Sequence, residues 1–171
     1  ERNGPYNKAI DLDVLAIFPC KDGYVSFTLR GGPGMMALVG WMDDENLAPE
    51  FMKTKDWQNW DLDQLYFQGE KGKKDLDNVV NSIYRFFSTK TRQELFDHAI
   101  NDKFLLAPCN TLEDVLSDVQ LKARRFWIDI ETSQLKQSIK FPGPYVNLPE
   151  SPLSIRRQAP RLGEHNIQIY I

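Results

Sequence analysis

The chain has 171 residues, 21 of them Lys or Arg against 24 Asp or Glu, and is 42% hydrophobic. That length bounds one ordinary domain or one domain with a long arm, and the apolar content is enough for a core. A net charge of -3 argues against a nucleic-acid partner, and no apolar run reaches the length that a membrane span needs.

Val14 to Phe18 is apolar and β-prone. Lys21-Asp22-Gly23 comes next as a hairpin signal, because Asp-Gly favours the tight turns that join antiparallel strands. In the next run Val25, Phe27 and Leu29 alternate with smaller polar residues, which predicts a half-buried strand paired with the first. Gly31-Gly32-Pro33-Gly34 ends it. Met35, Leu38, Val39 and Met42 share one helical stripe, and a second short helix is expected over Leu47 to Met52. Asp56 to Gly72 shows no period and is expected to be loop with one helical turn.

The strongest helix signal runs from Leu76 to Phe87, where Leu76, Val79, Val80, Ile83, Phe86 and Phe87 fall on one face. Thr91-x-x-Glu94 is a capping box opening a helix to about Lys103, and Thr111-x-x-Asp114 is a weaker one opening Leu112 to Leu116. Leu105 to Pro108 is too short for a helix and reads as strand or buried linker. Further on, Phe126, Ile128 and Ile130 alternate with polar partners, as do Ile139 and Phe141. These predict an antiparallel pair joined over Thr132 to Lys136. Prolines recur from Pro142 to Pro160, which predicts an extended arm. Near the end, Gly163-Glu164-His165 reads as a helix start, with Gly163 free to take an unusual backbone angle and Glu164 favoured at a helix N-terminus. A helix start so close to Ile171, and a first residue that is Glu1 rather than Met, predict part of a longer polypeptide. The pattern as a whole is α+β, a small antiparallel sheet with several helices plus an extended C-terminal arm.

No complete active site is legible in the residues. Leu95, Phe96, Ala99 and Ile100 mark the expected buried arc of their helix, which turns His98 to solvent. His165 sits at the proposed helix start and reads as a structural or interface residue rather than a catalytic one. Cys109 precedes a helix but has no base beside it in sequence, and reads as a small buried hydrophobe. Cys20 and Cys109 form neither metal spacing nor a disulfide framework, which predicts a reducing, cytoplasmic setting. Asp43-Asp44-Glu45 matches no calcium loop and reads as a solvated helix end. Lys71, Lys73 and Lys74 are too few for a phosphate groove. Gly31, Gly32 and Gly34 could let backbone amides approach a substrate, although their spacing is that of no dinucleotide loop and a strand-to-helix turn needs the same residues. They are the candidate substrate-binding residues. No metal site is expected.

Three blocks taken in order carry a family resemblance. They are Phe18-Pro19-Cys20-Lys21-Asp22-Gly23-Tyr24-Val25; then Asn110-Thr111-Leu112-Glu113-Asp114-Val115-Leu116 with Asp118, Gln120-Leu121, Ala123-Arg124 and Phe126; then Pro142-Gly143-Pro144 with Arg157, Ala159-Pro160 and Leu162-Gly163-Glu164-His165. Their order and spacing resemble the class III CoA-transferases, also called the CaiB/BaiF family, which include formyl-CoA, carnitine-CoA and benzylsuccinate-CoA transferases and the α-methylacyl-CoA racemases.

The resemblance implies a C-terminal piece of such an enzyme. Residues 1–13 would be a linker from a large Rossmann-like domain, 14–141 the small α+β domain, and 142–171 an arm returning toward the large one. It implies that CoA is moved between carboxylic acids, with a CoA thioester as substrate and no tightly bound cofactor. The catalytic Asp, which forms a mixed anhydride and then an enzyme thioester, would lie upstream of Glu1, so no catalytic residue is assigned here and the isolated piece is expected to be inactive. A homodimer of interlocked chains is implied for the whole protein. Asn3-Gly4-Pro5-Tyr6 stands where formyl-CoA transferases carry a glycine-rich closing loop, a departure that leaves loop closure without support. The alternatives are a racemase-like enzyme of the same family, or a non-enzymatic binding module whose apolar patch meets a partner.

Overall fold

Alternating apolar residues in two short runs build the first sheet of the core. In the computed structural model, which describes residues 2–3, 6–9, 12–132, 137–146, 148–157 and 159–171, strands β4 (Ile17–Cys20) and β5 (Gly23–Phe27) pair antiparallel. Cys20 lies opposite Gly23, so Lys21 and Asp22 make the turn that the Asp-Gly signal predicts. Strand β6 (Leu106–Pro108) adds to the other edge of β5, with Phe27 opposite Leu106. The inward residues Phe18, Val25 and Phe27 are buried while Tyr24 is exposed.

Ahead of this sheet, β1 (Arg2–Asn3), β2 (Tyr6–Ala9) and β3 (Leu12–Leu15) form a second antiparallel sheet with Tyr6 opposite Leu15. Strand pairing therefore occupies part of the stretch read as linker. Gly4 and Pro5, the centre of the loop departure, lie outside the described residues.

The helices cover β4–β5–β6. Helix α1 (Pro33–Asp44) buries Met35, Leu38, Val39 and Met42, the stripe expected from sequence. Helix α2 (Glu50–Lys53) begins after Pro49 rather than at Leu47. The proline ring disfavours helical geometry in the residue before it, so the turn cannot start earlier.

The aperiodic stretch from Asp56 holds more helix than expected. Helix α3 (Leu62–Phe67) is capped by the Asp61 carboxylate, which accepts from the Asp63 amide at 3.3 Å. Helix α4 (Glu70–Phe87) starts a turn and a half before Leu76. A Cβ on Gly72 would overlap the Leu65 carbonyl oxygen, so this glycine is what lets α3 and α4 pack so closely. That is a tertiary reason, invisible to periodicity. Downstream, α4 buries Leu76, Val79, Ile83, Phe86 and Phe87 as predicted.

Helix α5 (Arg92–Asp102) opens with the Thr91–Glu94 capping box. The β4–β5 turn completes this end. Asp22 accepts from the Arg92 amide at 2.7 Å, and the Lys21 amide donates to the Lys90 carbonyl at 2.7 Å. Phe18, Phe27, Phe87 and Phe104 meet edge to face with centroids 5.4 to 6.2 Å apart. Each such pair adds about 0.5–1.5 kcal/mol beyond area burial.

The chain divides into two compact units, Glu1–Cys109 and Asn110–Ile171. The second contains α6 (Leu112–Ser117), α7 (Val119–Ala123), the antiparallel pair β7 (Trp127–Thr132) and β8 (Gln137–Pro142), and α8 (Asn166–Tyr170). The Thr111–Asp114 capping box is formed. Ile130 lies opposite Ile139, and residues 133–136, where the connection was expected, fall outside the described residues. Among the described residues from 143 to 165 no helix or strand forms. Gly163 takes φ +77 and His165 stands at the N-cap of α8, with the Glu164 carboxylate accepting from the Arg161 amide at 2.6 Å. The fold is α+β. No described helix is long and apolar enough to cross a membrane.

Candidate functional site

The turn from β5 into α1 brings the candidate glycines together for reasons of packing. A Cβ on Gly31 would come within 2.7 Å of the Trp57 carbonyl oxygen and closer still to that of Trp60. Gly32 has φ +103, is the N-cap of α1 and donates its amide to the Trp57 carbonyl at 2.6 Å. A Cβ on Gly34 would meet the Lys103 carbonyl oxygen at 2.9 Å. The loop is thus pressed between the Trp57–Trp60 segment and the end of α5. It frames a cleft of about 300 Å³ bordered by Gly31 and Gly34 but not by Gly32.

The floor of this cleft is apolar. Phe27 and Phe104 are both buried and contact each other edge on at 6.2 Å, with Met35 and Leu105 beside them. Its charged residues are Arg30, Lys103 and Asp102. The Asp102 carboxylate is engaged by His98 Nδ1 at 3.0 Å. Among the described residues, neither the Arg30 nor the Lys103 side chain makes a hydrogen bond or ion pair. Sequence reading missed this cleft because Arg30 and Lys103 are far apart in the chain. Only the pairing that continues β5, with the Thr28 amide donating to the Leu105 carbonyl at 2.9 Å, brings them to one place.

His98 keeps 42% of its side chain exposed, but it is not free in solvent. Its ring stacks on Trp41 with centroids 3.6 Å apart and planes 10° from parallel. The buried residues of α5 are Leu95 and Ala99, whereas Ile100 is exposed. Counting the exposed Ile100 into the arc for its apolar character turned the expected centre away from His98. The arrangement is a contact between α1 and α5.

Two of the three acids at the end of α1 are paired with lysines rather than arranged for a cation. Asp43 pairs with Lys53, and Glu45 pairs with Lys90 while accepting from Trp41 Nε1 at 2.8 Å. Acids at a helix C-terminus face the negative end of its dipole, which these lysines offset. The Asp43 carboxylate raises the Lys53 ammonium above the ordinary lysine range. Lys71, Lys73 and Lys74 are exposed on α4.

Cys20 Sγ lies 3.5 Å from Asp22 Oδ1, and burial pushes its thiol up, away from a reactive thiolate. Cys109 is half-buried and its carbonyl accepts from Arg92 Nη1 at 3.2 Å. Among the described residues no group of three His, Cys, Asp or Glu side chains could hold a metal ion.

Comparison with known proteins gives this geometry a context. A family model described as CoA-transferase family III matches residues 1–166. The chain is 27% identical over 158 residues to a subunit of succinyl-CoA:(R)-benzylsuccinate CoA-transferase from Thauera aromatica, covering 91% of this chain and 37% of that protein. It is 33% identical over 91 residues to the beta subunit of succinyl-CoA–L-malate CoA-transferase from Chloroflexus aurantiacus, covering 53% of this chain and 22% of that protein. Among solved structures it resembles a CaiB/BaiF family protein from Brucella suis, with TM-score 0.57 and 19% identity, covering 98% of this chain and 37% of that one. It also resembles a Mycobacterium tuberculosis protein, with TM-score 0.51 and 11% identity, covering 89% and 39%. At such identities the structures speak to the fold alone. The chain spans well under half the length of each of these proteins.

Proposed function

Because this chain belongs to CoA-transferase family III, we propose that it forms the small-domain part of an enzyme that moves coenzyme A from an acyl-CoA thioester to a carboxylic acid. The match over residues 1–166 carries this reading. Both curated relatives bear CoA-transferase names, which favours transfer over α-proton abstraction of the racemase kind.

Transfer of this kind needs no redox step. An enzyme carboxylate attacks the donor thioester carbonyl, CoA thiolate leaves, and a mixed anhydride remains. The thiolate then attacks the enzyme half of the anhydride and releases the donor acid. The acceptor acid attacks the resulting enzyme thioester and expels CoA thiolate again, which takes the acceptor acyl group from the new anhydride and regenerates the carboxylate.

No carboxylate of this chain is assigned that covalent role, which we place on polypeptide outside these 171 residues. This chain supplies the cleft bordered by Gly31 and Gly34 as a wall of the acyl site. The whole enzyme is proposed to be a homodimer acting in the cytoplasm, where the free thiols Cys20 and Cys109 would stay reduced.

The test is chromatographic detection of CoA exchange between succinyl-CoA and a panel of carboxylic acids. The 171-residue chain alone is expected to give none, and the whole gene product that carries it is expected to exchange. Exchange by the chain alone, abolished by replacing one of its own carboxylates, would overturn the placement. A whole protein that scrambles α-hydrogens without exchanging CoA would overturn transfer in favour of racemisation.

A further inference from the structure

We propose that the cleft between the Gly31–Gly34 loop and the end of α5 binds the free carboxylate of a dicarboxylic acyl group, with Arg30 and Lys103 as its receptors. The proposal rests on the reading that carboxylic acids are the substrates, and it names which class of acid this chain selects.

Two observations carry it. The first is charge. Lys53, Lys55, Lys90 and Arg92 each face an acid, namely Asp43, Asp75, Glu45 and Asp22. Arg30 and Lys103 border a cleft instead, and the acid beside them, Asp102, is held by His98. The cleft therefore holds two cations against one carboxylate, and that carboxylate is turned to His98 rather than to either of them. A guanidinium fork takes a carboxylate in two parallel bonds, and an ammonium adds a third.

The second observation is shape. About 300 Å³ is at the small end of ligand sites. It suits a short acid and is too small for the nucleotide end of CoA. The Phe27–Phe104 floor, with Met35, suits a methylene or aryl stem. A monocarboxylic acid spends its only carboxylate on the thioester and would leave both cations unmatched. A dicarboxylic acid has one left to present.

The backbone at Lys103 points the same way. It closes α5 with φ 60 and ψ 38, a left-handed position that glycine or asparagine usually fills. Lysine is strained there, and strain of this kind gathers at ligand sites.

The test uses N-acetylcysteamine thioesters of succinate and of butyrate, which differ in the free carboxylate, titrated into the whole chain by calorimetry or amide NMR. The succinyl thioester is expected to bind at least about ten-fold tighter than the butyryl one, the size of one charge-assisted hydrogen bond. Arg30→Gln and Lys103→Gly should each remove that preference. Lys103→Gly removes the cation while relieving the left-handed strain, so its thermal midpoint should hold or rise, which separates loss of binding from loss of fold. Equal binding of the two thioesters, a preference that survives Arg30→Gln, or no binding of either overturns the proposal. So does displacement of the succinyl thioester by equimolar inorganic phosphate, which would mark an unselective anion site. Because the readout is binding, it separates from the reading on which it rests. A chain that selects the succinyl thioester while the whole enzyme exchanges no CoA keeps the subsite and removes transfer. CoA exchange that uses butyrate as readily as succinate keeps transfer and removes the subsite.

Discussion

Two glycines one helix apart show how little residue type says without its surroundings. Gly31 is held where a Cβ would strike two backbone carbonyls, while a Cβ on Gly40 meets nothing within 4 Å in the middle of α1. Gly40→Ala should therefore stabilise the fold by about 0.5–1 kcal/mol, the usual gain from removing glycine's backbone freedom in a helix. Gly31→Ala should destabilise by about 1–3 kcal/mol, because backbone rather than a movable side chain must give way. Urea unfolding midpoints of the two variants should move in opposite directions, and a shared direction would show that those carbonyls do not pin the loop. From sequence both were simply glycines. Gly31 was singled out as a substrate contact because it lies in a cluster, and the packing that demands it comes from Trp57 and Trp60, which no local pattern connects to it.

Elements whose cause is local were legible, and elements whose cause is tertiary were not. The stripes of α1 and α4, both capping boxes and the β4–β5 turn arise from residues within one or two turns of each other. The start of α4 and the stacking of His98 on Trp41 depend on partners elsewhere in the chain, so periodicity missed them, and it leaves Leu105 to Pro108 open between strand and linker because the β5 edge that makes it β6 is equally distant. The capping box of α5 also fixes a pH dependence. The Thr91 amide donates to Glu94 Oε2 at 2.7 Å and the Thr91 hydroxyl at 2.8 Å. These bonds, the amide first, hold the Glu94 carboxyl below the usual carboxylate range. A carboxyl lowered on folding stabilises above its unfolded value, about 4.3 for Glu. That contribution is lost as pH falls through the lower folded value. Thermal midpoints should thus converge for the parent and Glu94→Gln on acidification and separate above about pH 5. Divergence on acidification would reverse the assignment. Thr91→Ala, which removes the cap itself, should cost about 1 kcal/mol at neutral pH.

At the scale of the molecule the two units differ in kind. Among the described residues every buried apolar side chain lies between Ala16 and Leu106. The unit Asn110–Ile171 has none among its described residues, and it leaves Leu112, Val119, Tyr145 and Leu162 largely exposed. A fragment ending at Cys109 should therefore unfold cooperatively, with a midpoint within about 5 °C of the whole chain's, a shift worth roughly 1 kcal/mol at this size. Amides of β7 and β8 should exchange with solvent much faster than those of β5 and α4. A fragment without cooperative unfolding would show that the core depends on residues beyond Cys109. This asymmetry was only partly legible in sequence. The prolines marked 142–160 as irregular, but α6, α7 and the β7–β8 pair look like ordinary core elements when read one by one.

The register of β6 on β5 also sets a clock. Strand β5 is complete at Phe27, yet the partner for its second edge arrives only with Leu106. A ribosome adding about 5–20 residues each second would leave that edge open for on the order of 4–16 s while the helices between are made. Tyr24, Ser26 and Thr28 alternate outward along this stretch, and the run turns to Gly-Gly-Pro-Gly soon after. A short, polar-faced strand ended by glycine and proline is a poor template for pairing with another nascent chain. The edge that β6 finally covers is therefore unattractive to neighbours for as long as it stays open.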